Sequence, residues 1–175
     1  MEQAPPKKVM VFGTFDLFHA GHENMFEQAR KLGDFIVTVI ARDETVRKIK
    51  GEYPYYNERQ RLKNVKNSNL VDKVILGNLG DKYEIIKKIR PDVIALGYDQ
   101  FAFTYQLEKF LIDEKMNTQI ERLKAYKPEM YKSSIIRATM LEKRIHGGLE
   151  TPGVATITAE DIANANAEIA FTPHI

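Results

Sequence analysis

The chain has 175 residues and a formal charge of +2, with 26 Lys and Arg against 24 Asp and Glu, a near balance that implies no general binding to polyanions, and no nucleic-acid partner is expected. It has no cysteine, which excludes disulfides, thiolate metal sites and thiol nucleophiles and is compatible with a reducing, cytoplasmic setting. Polar, proline-bearing Met1 to Lys8 lacks the apolar core of a signal peptide and no run approaches the roughly 18–20 apolar residues of a membrane span, so a soluble single domain with a sizeable core is expected.

Val9-Met10-Val11-Phe12 reads as a buried strand. The string Gly13-Thr14-Phe15-Asp16-Leu17-Phe18-His19-Ala20-Gly21-His22 follows it. Glu23 to Leu32 reads as a helix, so both histidines fall at a strand-to-helix turn. An open parallel sheet places its ligand crevice at such a turn. A helix start also suits an anion, because its first N–H groups are free and its dipole end is positive. Gly13 lets a ligand approach the backbone, and Gly21 keeps bulk out of the space between the histidines. His19 and His22 are three apart and share one helical face. The alternative is a capping or packed pair; a zinc site lacks a third ligand at a telling spacing. Asp16 caps or orients the turn. Thr14 offers a hydroxyl and an N–H to a phosphate oxygen, or makes a local turn bond.

Phe35 to Ala41 is an apolar, β-branched strand. Asp43 to Lys50 reads as a short helix ending at Gly51. Glu52 to Tyr56, with three tyrosines and Pro54, is a loop and a candidate lid. Asn57 is placed to N-cap a helix from Glu58 to Asn67. Val71 to Leu76 is a strand, Asp81 to Arg90 a helix stopped by Pro91, and Asp92 to Gly97 a strand. A helix near Tyr105 to Lys115, a strand from Gln119 to Leu123 and a helix from Ser133 to Ile145 complete the pattern. The alternation predicts an α/β architecture, a five-stranded parallel sheet with helices on both faces and right-handed crossovers.

Composition changes at Gly147-Gly148. Residues 151–175 hold no Lys or Arg and three acids, Glu160, Asp161 and Glu168. The division expected is one domain over 1–148 and an extension over 149–175. Thr158-Ala159-Glu160-Asp161 looks like a helix start, with Ile162, Ala165 and Ile169 as an apolar stripe. The extension docks on its own domain or on a dimer mate, or is a disordered tail.

Several residues offer chemistry beyond the turn. By residue type alone, Lys48 and Lys50 in Arg47-Lys48-Ile49-Lys50 read as a solvated helix face and Arg59 as part of an ion pair; a phosphate role for any of the three is implied only by family resemblance. Asp99, in Gly97-Tyr98-Asp99-Gln100, accepts from a ribose hydroxyl or a base amino group, or caps the next segment. Phe101 and Phe103 stack on a flat ring or belong to the core. In Tyr131-Lys132-Ser133-Ser134-Ile135-Ile136-Arg137, Ser133 or Ser134 caps a helix whose free N–H groups face an anion, and Arg137 adds a charged fork. Otherwise this is a plain serine-capped helix.

His-Ala-Gly-His in its ten-residue setting resembles the H-x-G-H signature of the nucleotidyltransferase superfamily. The longer string is similar to the cytidylyltransferase-like branch, over roughly residues 8–145. That resemblance implies a Rossmann-like sheet, a homodimer, and transfer of a nucleotidyl group from ATP or CTP to a phosphate-monoester acceptor with release of pyrophosphate. It implies Mg²⁺ carried with the triphosphate rather than a metal held by the protein. His19, His22, Lys48 and Arg137 would be catalytic. Gly13, Thr14, Phe15, Gly21, Asp99, Ser133 and Ser134 would bind the nucleotide with the histidines. Lys48, Arg59 and Asp99 would bind the acceptor.

Ala41 to Val46, Ile75 to Asn78, Arg90 to Gln100 and Tyr131 to Ile136 look most like the archaeal type of FAD synthase, which joins AMP to FMN. Glycerol-3-phosphate cytidylyltransferase is the second reading. A nucleotide-binding protein that keeps the pocket without turnover is a third, of another class. Lys132 departs from the family pattern, which has a small or apolar residue before the serines. The lack of cysteine departs from FAD synthases that carry them near the C-terminus.

Overall fold

The structure is a computed structural model that describes residues 4–146. Eleven elements alternate along the chain: β1 (Lys8–Gly13), α1 (Ala20–Arg30), β2 (Phe35–Ile40), α2 (Asp43–Lys50), α3 (Glu58–Asn67), β3 (Lys73–Leu76), α4 (Glu84–Ile89), β4 (Val93–Leu96), α5 (Phe101–Asp113), β5 (Gln119–Arg122) and α6 (Ser133–His146). The strands form one sheet in the order β3-β2-β1-β4-β5, and every pairing is parallel. This is the expected Rossmann-like architecture.

Side-chain alternation explains why both faces are covered. Val9, Val11, Ile36, Val93 and Ala95 bury one face of the sheet with Phe26, Ala29 and Val65 from α1 and α3. Met10, Val37, Val39, Ile94 and Leu96 bury the other with Ile85, Ile86, Leu107 and Leu111 from α4 and α5. Strands apolar on both sides are what a sheet sandwiched between helices requires.

The N-terminal edge of the sheet is stitched by aspartates. Asp34 accepts from the Lys7 N–H, Asp92 from the Lys8 N–H and Asp72 from the Ile36 N–H. The C-terminal edge is left to the long connections after β1, β2, β4 and β5, where ligands sit in sheets of this kind.

Helix ends follow their signals where these are local. Gly51 closes α2 in the left-handed conformation at φ 81°, and the Asn57 side chain caps α3 by accepting from the Gln60 N–H at 2.9 Å. Three helix starts differ from expectation, among them α4, which begins at Glu84 rather than Asp81. Helix α1 begins at Ala20 rather than Glu23, which puts His19 at the N-cap and His22 in the first turn. Helix α5 begins at Phe101 rather than Tyr105, because Gln100 fixes the preceding turn: its side chain accepts from the Gly97 N–H and donates to the Phe12 carbonyl. The expected extension 149–175 lies outside the described residues, and with it the helix start at Thr158 and the stripe of Ile162, Ala165 and Ile169.

Candidate active site

The loop from β1 to α1 is unusual in its backbone. Phe15 and Leu17 have φ of 52° and 48°, a region that costs a non-glycine residue about 1–2 kcal/mol. Both side chains are buried, so the loop is turned inside out to bury them. The surroundings hold it there. Asp16 is itself buried and its carboxylate accepts from the Leu17 N–H at 3.1 Å, the Tyr55 N–H at 2.6 Å and the Tyr56 N–H at 3.0 Å. The Asp16 carbonyl accepts from the Ser133 hydroxyl at the start of α6. One aspartate thus joins the β1–α1 loop, the 51–57 loop and α6.

The histidines are fixed by the helix they begin. His19 Nδ1 accepts from the Gly21 N–H at 3.1 Å, and His22 Nδ1 faces the His19 N–H at 3.4 Å, a reciprocal capping box. A ring nitrogen that accepts carries no proton, so each neutral imidazole holds its proton on Nε2. The rings stack at 3.8 Å and 21°, between Tyr131 on the His19 side and Phe18 on the His22 side. Burial lowers His19 from its usual 6.5 to about 4. Loss of hydration, then the charges of His19 and Lys50, hold His22 well below 6.5. The pair therefore presents two neutral Nε2–H donors.

Comparison with known proteins places this arrangement. The sequence model of the cytidylyltransferase-like family matches residues 10–139. The chain belongs to the cytidylyltransferase-like family. It is 46% identical over 134 residues to the FAD synthase of Korarchaeum cryptofilum, covering 75% of this chain and 90% of that one. It is 36% identical over 135 residues to the FAD synthase of Picrophilus torridus, covering 77% and 96%. Among solved structures it is similar to a lipopolysaccharide core biosynthesis protein from Thermoplasma volcanium, with a TM-score of 0.67 and 35% identity over 70% of this chain and 100% of that one. A pantoate-beta-alanine ligase from Francisella tularensis shares the fold, with a TM-score of 0.56 at 15% identity, over 94% of this chain and 78% of its own. The cytidylyltransferase-like chain is a nucleotidyltransferase.

Within this family member, the expected residues divide. A Cβ at Gly21 would stand 2.9 Å from the His19 ring and 3.1 Å from Tyr131, so the glycine lets Tyr131 and the His19 ring close over the helix start. Gly13 clears space for the protein itself, since a Cβ would stand 2.7 Å from the Phe15 ring. Phe15 is core, stacked at 5.2 Å on Phe26 and edge-on to His22, so its ring is not offered to a nucleotide. Thr14 gives its carbonyl to Arg61.

Lys48 and Lys50 are both exposed on α2. The charge of Lys50 acts on His22 and that of Lys48 on Glu44. Arg137 sits 3.3 Å from the Tyr53 carbonyl and 3.6 Å from Glu52, at the rim rather than inside it. Lys132, not a serine, precedes α6, and its carbonyl accepts from the Ile136 N–H. Ser133 gives its hydroxyl to the Asp16 carbonyl and Ser134 is exposed. Asp99 is exposed beside Gly97, at the C-terminal end of β4. Phe101 is exposed under the Arg122 guanidinium.

Arg59 is exposed on α3, and the residue that mattered is two further on. Arg61 is fully buried. It donates to the carbonyls of Tyr56 at 3.0 Å, Thr14 at 2.5 Å and Ala41 at 2.7 Å, and to the Asp43 carboxylate at 2.7 Å. A second charged group braces it: Glu58 accepts from Arg42 and from the Asp43 N–H, while Asp43 accepts from the Glu58 N–H. Burial opposes ionisation of Glu58, but its bonds to Arg42 and Asp43 and the charges of Arg42 and Arg61 hold its pKa below the usual value. The hint in the sequence was an arginine at the apolar spacing of α3, four residues before Val65.

Proposed function

We propose that this nucleotidyltransferase is an FAD synthase, moving the adenylyl group of ATP onto the phosphate of FMN. The observation that carries this reading is 35–46% identity to several proteins named FAD synthase, matched over 85–96% of their length. Glycerol-3-phosphate cytidylyltransferase draws no support from these relatives.

A phosphate monoester is already ionised near neutral pH, so no protein base is required to generate the nucleophile. An FMN phosphate oxygen attacks the α-phosphorus of ATP. The new P–O bond forms as the bond to the pyrophosphate oxygen breaks, and its electron pair leaves with pyrophosphate. Charge grows on the equatorial and leaving oxygens. His19 and His22 are set to meet it with two Nε2–H donors on a rigid helix start, which cost no reorganisation at the moment of reaction. Lys50 and Arg137 supply positive charge from the rim. The first N–H groups of α6, around Ser133 and Ser134, take the far phosphates.

In this reading Mg²⁺ arrives with the triphosphate, and both oxygens of Asp16 in the β1–α1 loop are already taken by N–H groups. When bound, the ion would neutralise charge on the phosphates.

The test is pyrophosphate release with Mg²⁺, crossing ATP and CTP against FMN and glycerol 3-phosphate. Release with ATP and FMN alone is expected, with FAD as product. Release with CTP and glycerol 3-phosphate alone would overturn the reading. Nucleotide binding without release in any combination would favour the binding-protein reading.

A further inference from the structure

A reaction that joins ATP to FMN must seat two flat ring systems on either side of one phosphorus. Two exposed aromatic rings, each with an arginine over its face, flank the crevice at the C-terminal edge. Arg122, at the end of β5, lies 4.4 Å over Phe101. Arg47, on α2, lies 5.5 Å over Tyr53 in the 51–57 loop. The two sit on opposite sides of β1, since α2 follows β2 and α5 follows β4 in the order β3-β2-β1-β4-β5.

Tyr53 is the more telling of the two. Its ring is half exposed, at 51%, yet the residue is fixed at three points. The hydroxyl donates to Glu44 at 2.6 Å, the ring carries Arg47, and the carbonyl accepts from Arg137 at 3.3 Å. An exposed tyrosine ordinarily keeps its rotamer freedom, and holding one in place costs entropy. The position is also tied to the reacting centre. Tyr55 and Tyr56, next in the loop, are bound by Asp16, and Lys50, three residues before Tyr53, acts on His22.

The surrounding chemistry chooses between the rings. An isoalloxazine offers chiefly acceptors, two carbonyls and ring nitrogens, and FMN adds a phosphate dianion. On the Tyr53 side Arg47 is paired with Glu44 at 3.3 Å, and Lys48 and Lys50 lie exposed in the last turn of α2, where they supply donors and positive charge. On the opposite flank the exposed carboxylate of Asp99, near Arg122 and Phe101, suits the amino group of adenine.

We propose that Tyr53, with Arg47, forms the platform on which the isoalloxazine ring of FMN stacks. This rests on the FAD synthase reading, and it adds a residue that sets acceptor specificity. The experiment is a fluorescence titration of FMN with the full chain, alongside KM values for FMN and ATP, in wild type, Tyr53→Leu and Tyr53→Phe. Wild type quenches flavin fluorescence on binding. Tyr53→Leu weakens FMN binding and raises its KM about tenfold, loses most of the quenching, and leaves the KM for ATP unchanged. Tyr53→Phe keeps the ring and stays near wild type.

Unchanged FMN affinity in Tyr53→Leu overturns the platform, as does a rise in the KM for ATP instead. A loss in Tyr53→Phe equal to that in Tyr53→Leu also overturns it, by assigning the effect to the hydroxyl. If wild type makes FAD while Tyr53→Leu behaves like it, only the platform fails. If wild type neither binds FMN nor releases pyrophosphate with it, the FAD synthase reading fails and the platform with it.

Discussion

The β1–α1 loop and the rim of the same crevice are built on opposite plans. In the loop, backbone carbonyls and charged groups are buried and partnered: Asp16 holds three N–H groups, and Arg61 holds three carbonyls and Asp43. At the rim, Lys48, Lys50 and Ser134 are exposed, and Arg137 makes only long contacts to Glu52 and Tyr53. The buried region fixes the backbone from which the two neutral histidines project. The rim brings charge that can follow a phosphate. Geometry and charge, which a pair of imidazolium side chains would have combined, are here supplied by different parts of the molecule.

The sharpest way to break this contrast is Arg61→Met. It leaves Asp43 and three carbonyls without their donor, and should cost about 3–5 kcal/mol of stability, measured by urea denaturation. A loss under 1 kcal/mol would show that the loop stands without its guanidinium. His22→Ala should lower kcat about 10²–10³-fold with a far smaller change in melting temperature; turnover near wild type would remove His22 from the chemistry.

The neutral pair also makes stability depend on pH. His19 falls from 6.5 to about 4 on folding, so between those values the unfolded chain binds more protons than the folded one. The stabilisation is fully present above pH 6.5 and is lost as pH falls toward 4. For His19 it amounts to about 3 kcal/mol, and His22 shifts in the same direction. Denaturation midpoints across this window should fall with pH in wild type and flatten in His19→Asn. A flat wild-type profile would mean the imidazoles are hydrated. The smallest effect belongs to Arg59→Ala, two residues from Arg61 on the exposed side of α3. Its stability should stay within about 0.5 kcal/mol of wild type, and a larger loss would place it in the buried network.

What was legible in the sequence was local. Gly51 as the end of α2, Asn57 as the cap of α3 and the apolar strands follow from one residue or a short run. The histidine pair was legible because its string is long. Arg61 was not, because its partners lie 5, 18, 20 and 47 residues away, and no spacing announces where three carbonyls will meet. Gly13 and Phe15 misled for a related reason. A loop with two left-handed non-glycine residues reverses which side chains face inward, and that reversal follows from tertiary packing rather than from pattern. Phe101 and Tyr105 hid the start of α5, since exposed aromatics erase the periodicity that marks a helix.

The bond from the Ser133 hydroxyl to the Asp16 carbonyl joins residues 117 apart, whereas Arg61 reaches the same loop across only 47. A chain made from its N-terminus carries both histidines early, and gains the arginine that braces them partway through. The serine arrives last. Contacts so distant in sequence form late in folding, because the intervening chain must first be ordered. Until α6 is made, Leu17 and Tyr56 lack Ile136, the α6 residue they are buried with, and the β1–α1 loop lacks its last tie.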